Sequence, residues 1–511
     1  MQVSKRTRTS TRRDVFATGT ALLACIGSPL KFAVADEAGA VRLKSLNGEW
    51  ITVDRAALRN LQSNLKGRVL LAQMPGYEGA RRIWNAAIDR HPAVIVRCVD
   101  EQDVAHAIQF ARRHDSLLSV RGGGHNSAGF AIADGGLVID LTKMNGVNVD
   151  TARATARVGG GATFGEYDSA TAAFGFASPG PVVSMVGVGG YTLGGGLGWL
   201  HRKLGAASDT LISAQVVTAG GKIVEASARE HPDLFWALRG GGGNFGVATA
   251  FNFRLAPIST VLAGTIVHSL EDLPSVAAFV RDFNANAPDE VSLWLMMRKA
   301  PASPMLPKEI HGRLVATIGV CCCGPLANSE RALQPLRKFG RPLVDQIKPR
   351  PYVDWQKALD GAWANGLSNR WTGHYLPELT EASAATLLEY VSHVPSPFTD
   401  VKLISLGGKW GRVRESETAF GFRRAKYALA IQTRWVNGDE ASAHLAWSQR
   451  LFDAMKPHST GKVYVNFIAD EGDARVLDAY TEQATARLRI IKAAYDPGNL
   501  FRMNQNIRPM R

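Results

Sequence analysis

The run Leu117-Leu118-Ser119-Val120-Arg121-Gly122-Gly123-Gly124-His125-Asn126 decides how this sequence is read. Its first four residues make a short apolar stretch of the kind that forms a buried strand. Three glycines follow at once. With no Cβ in the way, their N–H groups can converge on one point, a geometry suited to cradling a phosphate. Arg121 can add a charge-assisted contact. Taken alone, the loop reads equally well as a glycine turn with an incidental histidine.

Outward from this loop, glycine recurs in blocks at 158–162, 187–198 and 239–246. The chain holds 51 glycines in 511 residues, roughly a tenth against an average of about 7%. Blocks of this kind are neither collagen-like nor linker-like, and they mark backbone that turns tightly or approaches a ligand. Two nucleotide folds are excluded by spacing. A dinucleotide fingerprint starting at Gly187 needs glycine at 192, where Thr192 stands, and no strand–helix–strand unit with an acid about 20 residues on follows. A P-loop fails because Gly221-Lys222 is followed by Ile223 and Gly408-Lys409 by Trp410.

At 511 residues the chain exceeds one ordinary core, so two or more units are expected. The first starts near Tyr77. Residues 93–99 read as a buried strand, 101–114 as a helix, 136–141 and 155–158 as strands, 161–174 as a small helix and 247–255 as a closing strand. From Ala256 long apolar strands (291–297, 313–323) alternate with amphipathic helices (273–286, 328–339), the pattern of a second α+β unit with a large antiparallel sheet. The tail from Gly461 holds a strand at 463–468, a helix at 473–494 and the stop Tyr495-Asp496-Pro497-Gly498.

Several ordered segments together carry a resemblance that none carries alone. They are Arg121 to His125 after its strand, Val186-Gly187-Val188-Gly189-Gly190 with Gly194-Gly195-Gly196-Leu197-Gly198, and His231-Pro232-Asp233-Leu234-Phe235-Trp236. Arg239 to Val247, Tyr464-Val465-Asn466-Phe467 and the ending from Lys492 to Ile507 complete the series. Between about Tyr77 and Pro509 the sequence resembles the berberine bridge enzyme-like FAD oxidases, within the wider p-cresol methylhydroxylase/vanillyl-alcohol oxidase group. The resemblance implies an α+β fold with a two-lobed FAD-binding domain of the p-cresol methylhydroxylase type (77–255). An α+β substrate domain with a large antiparallel sheet (256–460) and a C-terminal segment returning to the FAD domain (461–511) follow.

For the site, the resemblance implies cofactor contacts at Arg121, Gly122, Gly123, Gly124, Asn126, Ser127, Gly129, Gly187, Gly189, Gly190, Gly194, Gly195, Gly246 and Val247, with Asn466, Asn504 and Asn506 as polar contacts near the flavin. His125 is then the histidine bonded to the flavin 8α-carbon, which requires a neutral imidazole. Members with two covalent links carry a cysteine in the stretch matching Gly180–Val186; Val183 stands there, so a single link is expected. Hydride removal needs a base for the substrate's hydroxyl, amine or phenol proton. Tyr464 is the candidate, with a packed strand tyrosine as its alternative, and Phe467 stands where members often have a second tyrosine. Arg412 lies at the apparent position of the acidic base of berberine bridge enzyme, which disfavours alkaloid ring closure. Trp371, His374, Tyr375, Trp410 and Arg423 are pocket candidates, with ordinary packing as the safer reading.

The expected activity is FAD-dependent oxidation of a small organic molecule (alcohol, carbohydrate, phenol or amine), with dioxygen as acceptor. A flavin dehydrogenase with another acceptor, or a non-catalytic secreted binding protein on a flavin fold, is the alternative. Residues 1–35 read as a twin-arginine-type leader: Arg12-Arg13, a mildly apolar run, then Ala33-Val34-Ala35. Export to the periplasm or medium is therefore expected, and the alanine-rich run makes a poor membrane anchor. The net charge of +14 falls to +9 without the +5 of that leader. No basic run interleaved with aromatics suggests nucleic acid, and no Cys/His spacing suits a metal. Of the five cysteines, Cys321-Cys322-Cys323 reads as buried strand thiols.

Overall fold

In this computed structural model the described residues are 40–303, 306–436, 438–439 and 441–510, so the leader expected at 1–35 lies outside them. From Ala40 onward the chain forms one unit. The strand preceding the glycine loop sits in its first large layer. There β1 (Val41–Lys44) pairs with β2 (Trp50–Val53), and β3 (Arg68–Leu70), β4 (Val94–Arg97), β5 (Leu118–Arg121) and β6 (Leu137–Asp140) form a sheet in the order β3-β4-β6-β5. β4 and β5 both run parallel to β6. Their crossover is the helix Glu101–Arg113, whose apolar stripe of Val104, Ile108 and Ala111 is fully buried. Asp100 caps it, and the Asp103 carboxylate accepts from Lys66, Gly67 and Val99 N–H, tying β3 and β4 to the helix start. Because β3 is part of this sheet, the folded unit begins well before Tyr77. Its short strands, with Trp50 exposed, carry too weak an apolar pattern to be read from sequence.

The second layer is an antiparallel sheet of β7 (Val147–Asp150), β8 (Thr155–Gly159), β9 (Leu211–Val217), β10 (Ile223–Ser227) and β11 (Val247–Arg254), ordered β10-β9-β11-β8-β7. The helix Phe164–Ala172 after β8 begins with a capping box between Thr163 and Glu166.

The third layer is a large antiparallel sheet: β12 (Thr260–Ser269), β13 (Val291–Lys299), β14 (Leu314–Cys322), β15 (Val344–Asp345), β16 (Lys348–Pro351), β17 (Leu367–Leu376), β18 (Asp400–Ser405) and β19 (Tyr427–Val436). Its order is β15-β12-β14-β13-β18-β19-β17, with β16 on β12. Strand alternation divides its faces. Leu293, Leu295, Leu403, Leu429 and Ile431 pack under the helices Leu273–Asn286, Leu326–Lys338, Glu381–Val391 and Ala441–Met455. The other face turns toward the glycine loops. The chain is thus a mixed α+β fold with a large antiparallel sheet. Cys321 and Cys322 are buried strand thiols, and Cys98, Cys321, Cys322 and Cys323 are free.

The tail departs from its sequence pattern. Residues 463–468 form a single 3₁₀ turn, Val465–Phe467, instead of a strand. Their apolar side chains are buried by packing, and Lys462 C=O accepts from Tyr375 N–H without a ladder to extend. The helix expected at 473–494 is two, Asp473–Leu477 and Glu482–Tyr495, because Thr481 caps the second by accepting from Ala484 N–H.

Candidate active site

The loop after β5 and the loop leading into the helix Val188–Leu193 meet through glycine alone. A Cβ on Gly123 would lie 2.5 Å from the Gly187 backbone, and one on Gly187 2.4 Å from Gly123 N. Gly124 then takes φ +67°, and the chain turns so that the His125 ring stacks on Trp84 at 4.1 Å and 15°. Trp84 is pinned: its indole N–H donates to Trp363 C=O at 2.9 Å and its backbone N–H to Gly124 C=O at 3.2 Å. Beside it, Asn85 bonds both Ser127 C=O and the Asn369 backbone. His125 Nε2 is buried with no hydrogen-bond partner. Burial drives its pKa down to about 3, with Arg434 adding repulsion, so the ring is neutral at any physiological pH.

These loops line a cleft of about 300 Å³. Gly122, Gly123, Gly124, His125, Asn126, Gly187, Gly189, Gly190, Gly194, Gly246, Val247, Tyr464, Asn466 and Asn504 all line it, as does Val183. Residues far apart in sequence therefore converge. Five expected contacts do not line the cleft. The Arg121 side chain turns away to donate to Ala80 C=O. Ser127 is held against Asn85, and Gly129 packs on Ile88. Gly195 faces the Phe420 ring, and Asn506 lies beyond the wall with a buried, unpartnered Oδ1.

Tyr464, the base candidate, lines the cleft with its hydroxyl held in place. Its hydroxyl oxygen accepts from Gly196 N–H at 3.0 Å and from the Asn466 amide at 2.7 Å. Burial pushes the phenol pKa up, and those two donors oppose the rise only partly. The phenol is therefore neutral near neutral pH, with its oxygen already accepting two bonds.

The opposite wall is the open face of the large sheet, and its register sets side chains in rows. One row crosses β17, β19, β18 and β13 as Trp371, Gln432, Asp400 and Arg298; the next is Gly373, Ala430, Lys402 and Met296. Trp371, Gln432, Lys402 and Ala430 line the cleft, with Trp363 beside them. Lys402 is buried, its Nζ 3.3 Å from Asp400 Oδ2 and 4.1 Å from the Trp363 ring centre. Burial lowers its pKa to about 8; Asp400 opposes the fall, while Arg298 and Arg434 assist it. Of the aromatic and basic candidates from sequence, only Trp371 lines the cleft. His374 stacks on Phe452, Arg423 pairs with Asp209 at 2.8 Å, and Tyr375 and Trp410 are packed in the core. Arg412 is exposed and paired with Asp289. Lys402, Gln432, Trp84 and Trp363 went unrecognised. The available signal was the alternation of Asp400, Lys402 and Ile404 with Val401 and Leu403, a charged pair on one face of an apolar strand.

This donor set fits FAD: a glycine cradle that a Cβ would fill, a neutral histidine with an orphaned buried nitrogen, and an unpartnered Asn504 Oδ1. Comparison with known proteins agrees. Residues 92–227 match an FAD binding domain model, and 463–508 match the model described as berberine and berberine like. The chain is 32% identical to (R)-6-hydroxynicotine oxidase of Paenarthrobacter nicotinovorans over 87% of its length and 97% of the relative's. The chain belongs to the berberine bridge enzyme-like FAD-linked oxidoreductases. The FAD-linked oxidoreductase YgaK of Bacillus subtilis is 30% identical over 88% of this chain and 98% of its own. The crystal structure of 6-hydroxy-D-nicotine oxidase from Arthrobacter nicotinovorans superposes with a TM-score of 0.79 at 29% identity, covering 87% of this chain and 98% of that one. This family member is accordingly an FAD-dependent oxidoreductase.

Proposed function

We propose that this oxidoreductase holds FAD through one covalent bond to His125 and oxidises a small hydroxyl- or amine-bearing substrate, with dioxygen as the final acceptor. The observation that carries the reading is His125 itself: a neutral ring, fixed flat on Trp84, with its Nε2 buried, unpaired and in the wall of the cleft. An imidazole nitrogen in that state keeps its lone pair for bond formation at near-neutral pH. Val183, in the same wall, offers no second nucleophile. Bound FAD supplies hydride acceptance. The chain's own residues do the rest. The loops at 122–126 and 187–194 would hold the cofactor, Asn466 and Tyr464 fix a donor pair beside it, and the sheet wall receives the substrate. The expected divisions, a leader at 1–35, FAD-facing segments up to 255 and from 461 to 511, and a covering sheet in 256–460, stay part of this proposal, as does export of the folded protein. Acid precipitation tests it. Yellow colour should pellet with the wild type and leave with the supernatant for His125→Ala; colour released from both contradicts the link. Peroxide formed on turnover, measured by a coupled peroxidase, tests the acceptor.

A further inference from the structure

Lys492, on the helix Glu482–Tyr495, is fully buried and does not line the cleft, yet it joins two segments that do. The glycine loop contributes Gly242 and Gly243 to the lining, and the tail contributes Phe501 and Asn504. The loop is pressed onto this helix: a Cβ on Gly241 would lie 2.8 Å from Leu488 Cδ2. An ammonium carries three N–H donors. One goes to Asn244 C=O in the glycine loop at 2.7 Å, one to Asp496 Oδ2 at 2.6 Å and one to Phe501 C=O in the tail at 3.0 Å. No donor is left over, and the three bonds fix how loop, helix end and tail lie against one another.

The same segments are tied again from their own side. Asp496 also accepts from Leu500 N–H at 2.8 Å and Phe501 N–H at 2.9 Å, which sets the first turn of the tail. The Asn244 amide donates to Gln505 C=O at 3.1 Å, and its Oδ1 accepts from Ile507 N–H at 2.9 Å. The Asn504 amide donates to Gly243 C=O at 3.2 Å and to Phe501 C=O at 3.0 Å. Lys492 and Asn504 therefore share one carbonyl. What remains is Asn504 Oδ1, buried and unpartnered on a side chain of the cleft wall. A buried acceptor in that state calls for a donor on the cleft's occupant. The rings and ribityl chain of FAD carry N–H and O–H groups that can fill it.

Stability alone does not account for a lysine at this position. An apolar pair of like volume replaces a buried ion pair at little cost, whereas a three-donor group is what joins these three acceptors. We propose that Lys492 is a positioning residue for the cofactor: through the shared Phe501 carbonyl it aims Asn504 Oδ1 at bound FAD. The inference rests on FAD occupying this cleft and not on the His125 link, so the two stand or fall separately.

The test is a double-mutant cycle on FAD affinity, read as quenching of flavin fluorescence when FAD is added to flavin-stripped His125→Ala protein. In that background Lys492→Met and Asn504→Ala should each weaken FAD binding about tenfold, and together still about tenfold, because one acts through the other. Lys492→Met with Asp496→Asn separates position from stability. It removes the unpaired buried charge and keeps an acceptor for the tail, so the melting temperature should recover towards the parent's while FAD affinity stays low. If His125→Ala takes up no FAD, the same variants are compared for flavin per chain with His125 in place. Losses that multiply, an affinity unmoved by Lys492→Met, or an affinity that recovers together with the melting temperature overturns the proposal. A parent protein that holds no flavin in either form refutes the flavin reading itself.

Discussion

A lysine with 2% of its side chain exposed is costly unless it sheds its charge, and Lys402 sits in that position. The sign of the resulting pH dependence follows from its lowered pKa. Folded, the group titrates near 8, against 10.5 when free. Below pH 8 both states carry the proton and the folded protein bears the full penalty, on the order of 3 kcal/mol. The penalty shrinks as pH rises from about 8 toward 10.5. Lys402→Met should therefore raise the melting temperature at pH 7 and lose most of that advantage by pH 10, as thermal unfolding across that range would show. Gly123 makes a second residue-scale prediction. Gly123→Ala forces a Cβ onto the Gly187 backbone, so flavin content should collapse and stability fall by about 1–3 kcal/mol, read from absorbance and melting together. These two residues also differ in how visible they are in sequence. Gly123 belongs to a glycine run that stands out in the sequence as a tight turn or a ligand loop. A lysine in a strand reads as solvent-facing, and only the register across β13, β18 and β19 turns Lys402 inward.

At the scale of elements, periodicity was the readable signal wherever burial followed it. The helix Leu273–Asn286 and the strands β13 and β14 match their apolar patterns because one face of each packs in the core under the large sheet. The tail departs from its apolar pattern for the opposite reason. Val463, Val465 and Phe467 are buried in the core shared by the second and third layers, and Val465–Phe467 is a 3₁₀ turn without a strand ladder. Capping explains another boundary. Thr163→Ala should cost about 1 kcal/mol by opening the N-terminus of the helix Phe164–Ala172, lowering the melting temperature while leaving flavin content intact. Leu403→Ala, on the helix-covered face of β18, should cost about 2–5 kcal/mol and loosen the wall that presents Lys402.

Across the molecule from Ala40 onward, the glycine loops and the large sheet are fastened to each other around the cleft. Asp209, before β9, meets Arg423 at 2.8 and 2.9 Å in a buried two-point pair. Trp84 reaches Trp363, Asn85 reaches Asn369, and the Ser184 backbone N–H donates to Asp360 at 2.8 Å. Each bond joins a residue before 255 to one after 350. Asp209→Asn should leave the Arg423 charge buried without its partner, costing about 3–5 kcal/mol, and should reduce flavin retention in proportion, measurable by denaturation and absorbance on one sample. None of these links is visible in sequence, because each joins segments far apart in the chain that meet only after the sheets have packed. The central claim is the His125–flavin bond. Its most direct test is mass spectrometry of the tryptic peptide spanning residues 122–143. The peptide from wild type should carry the added mass of FAD, with fragmentation placing it on His125; an unmodified peptide from fully yellow protein would contradict the account.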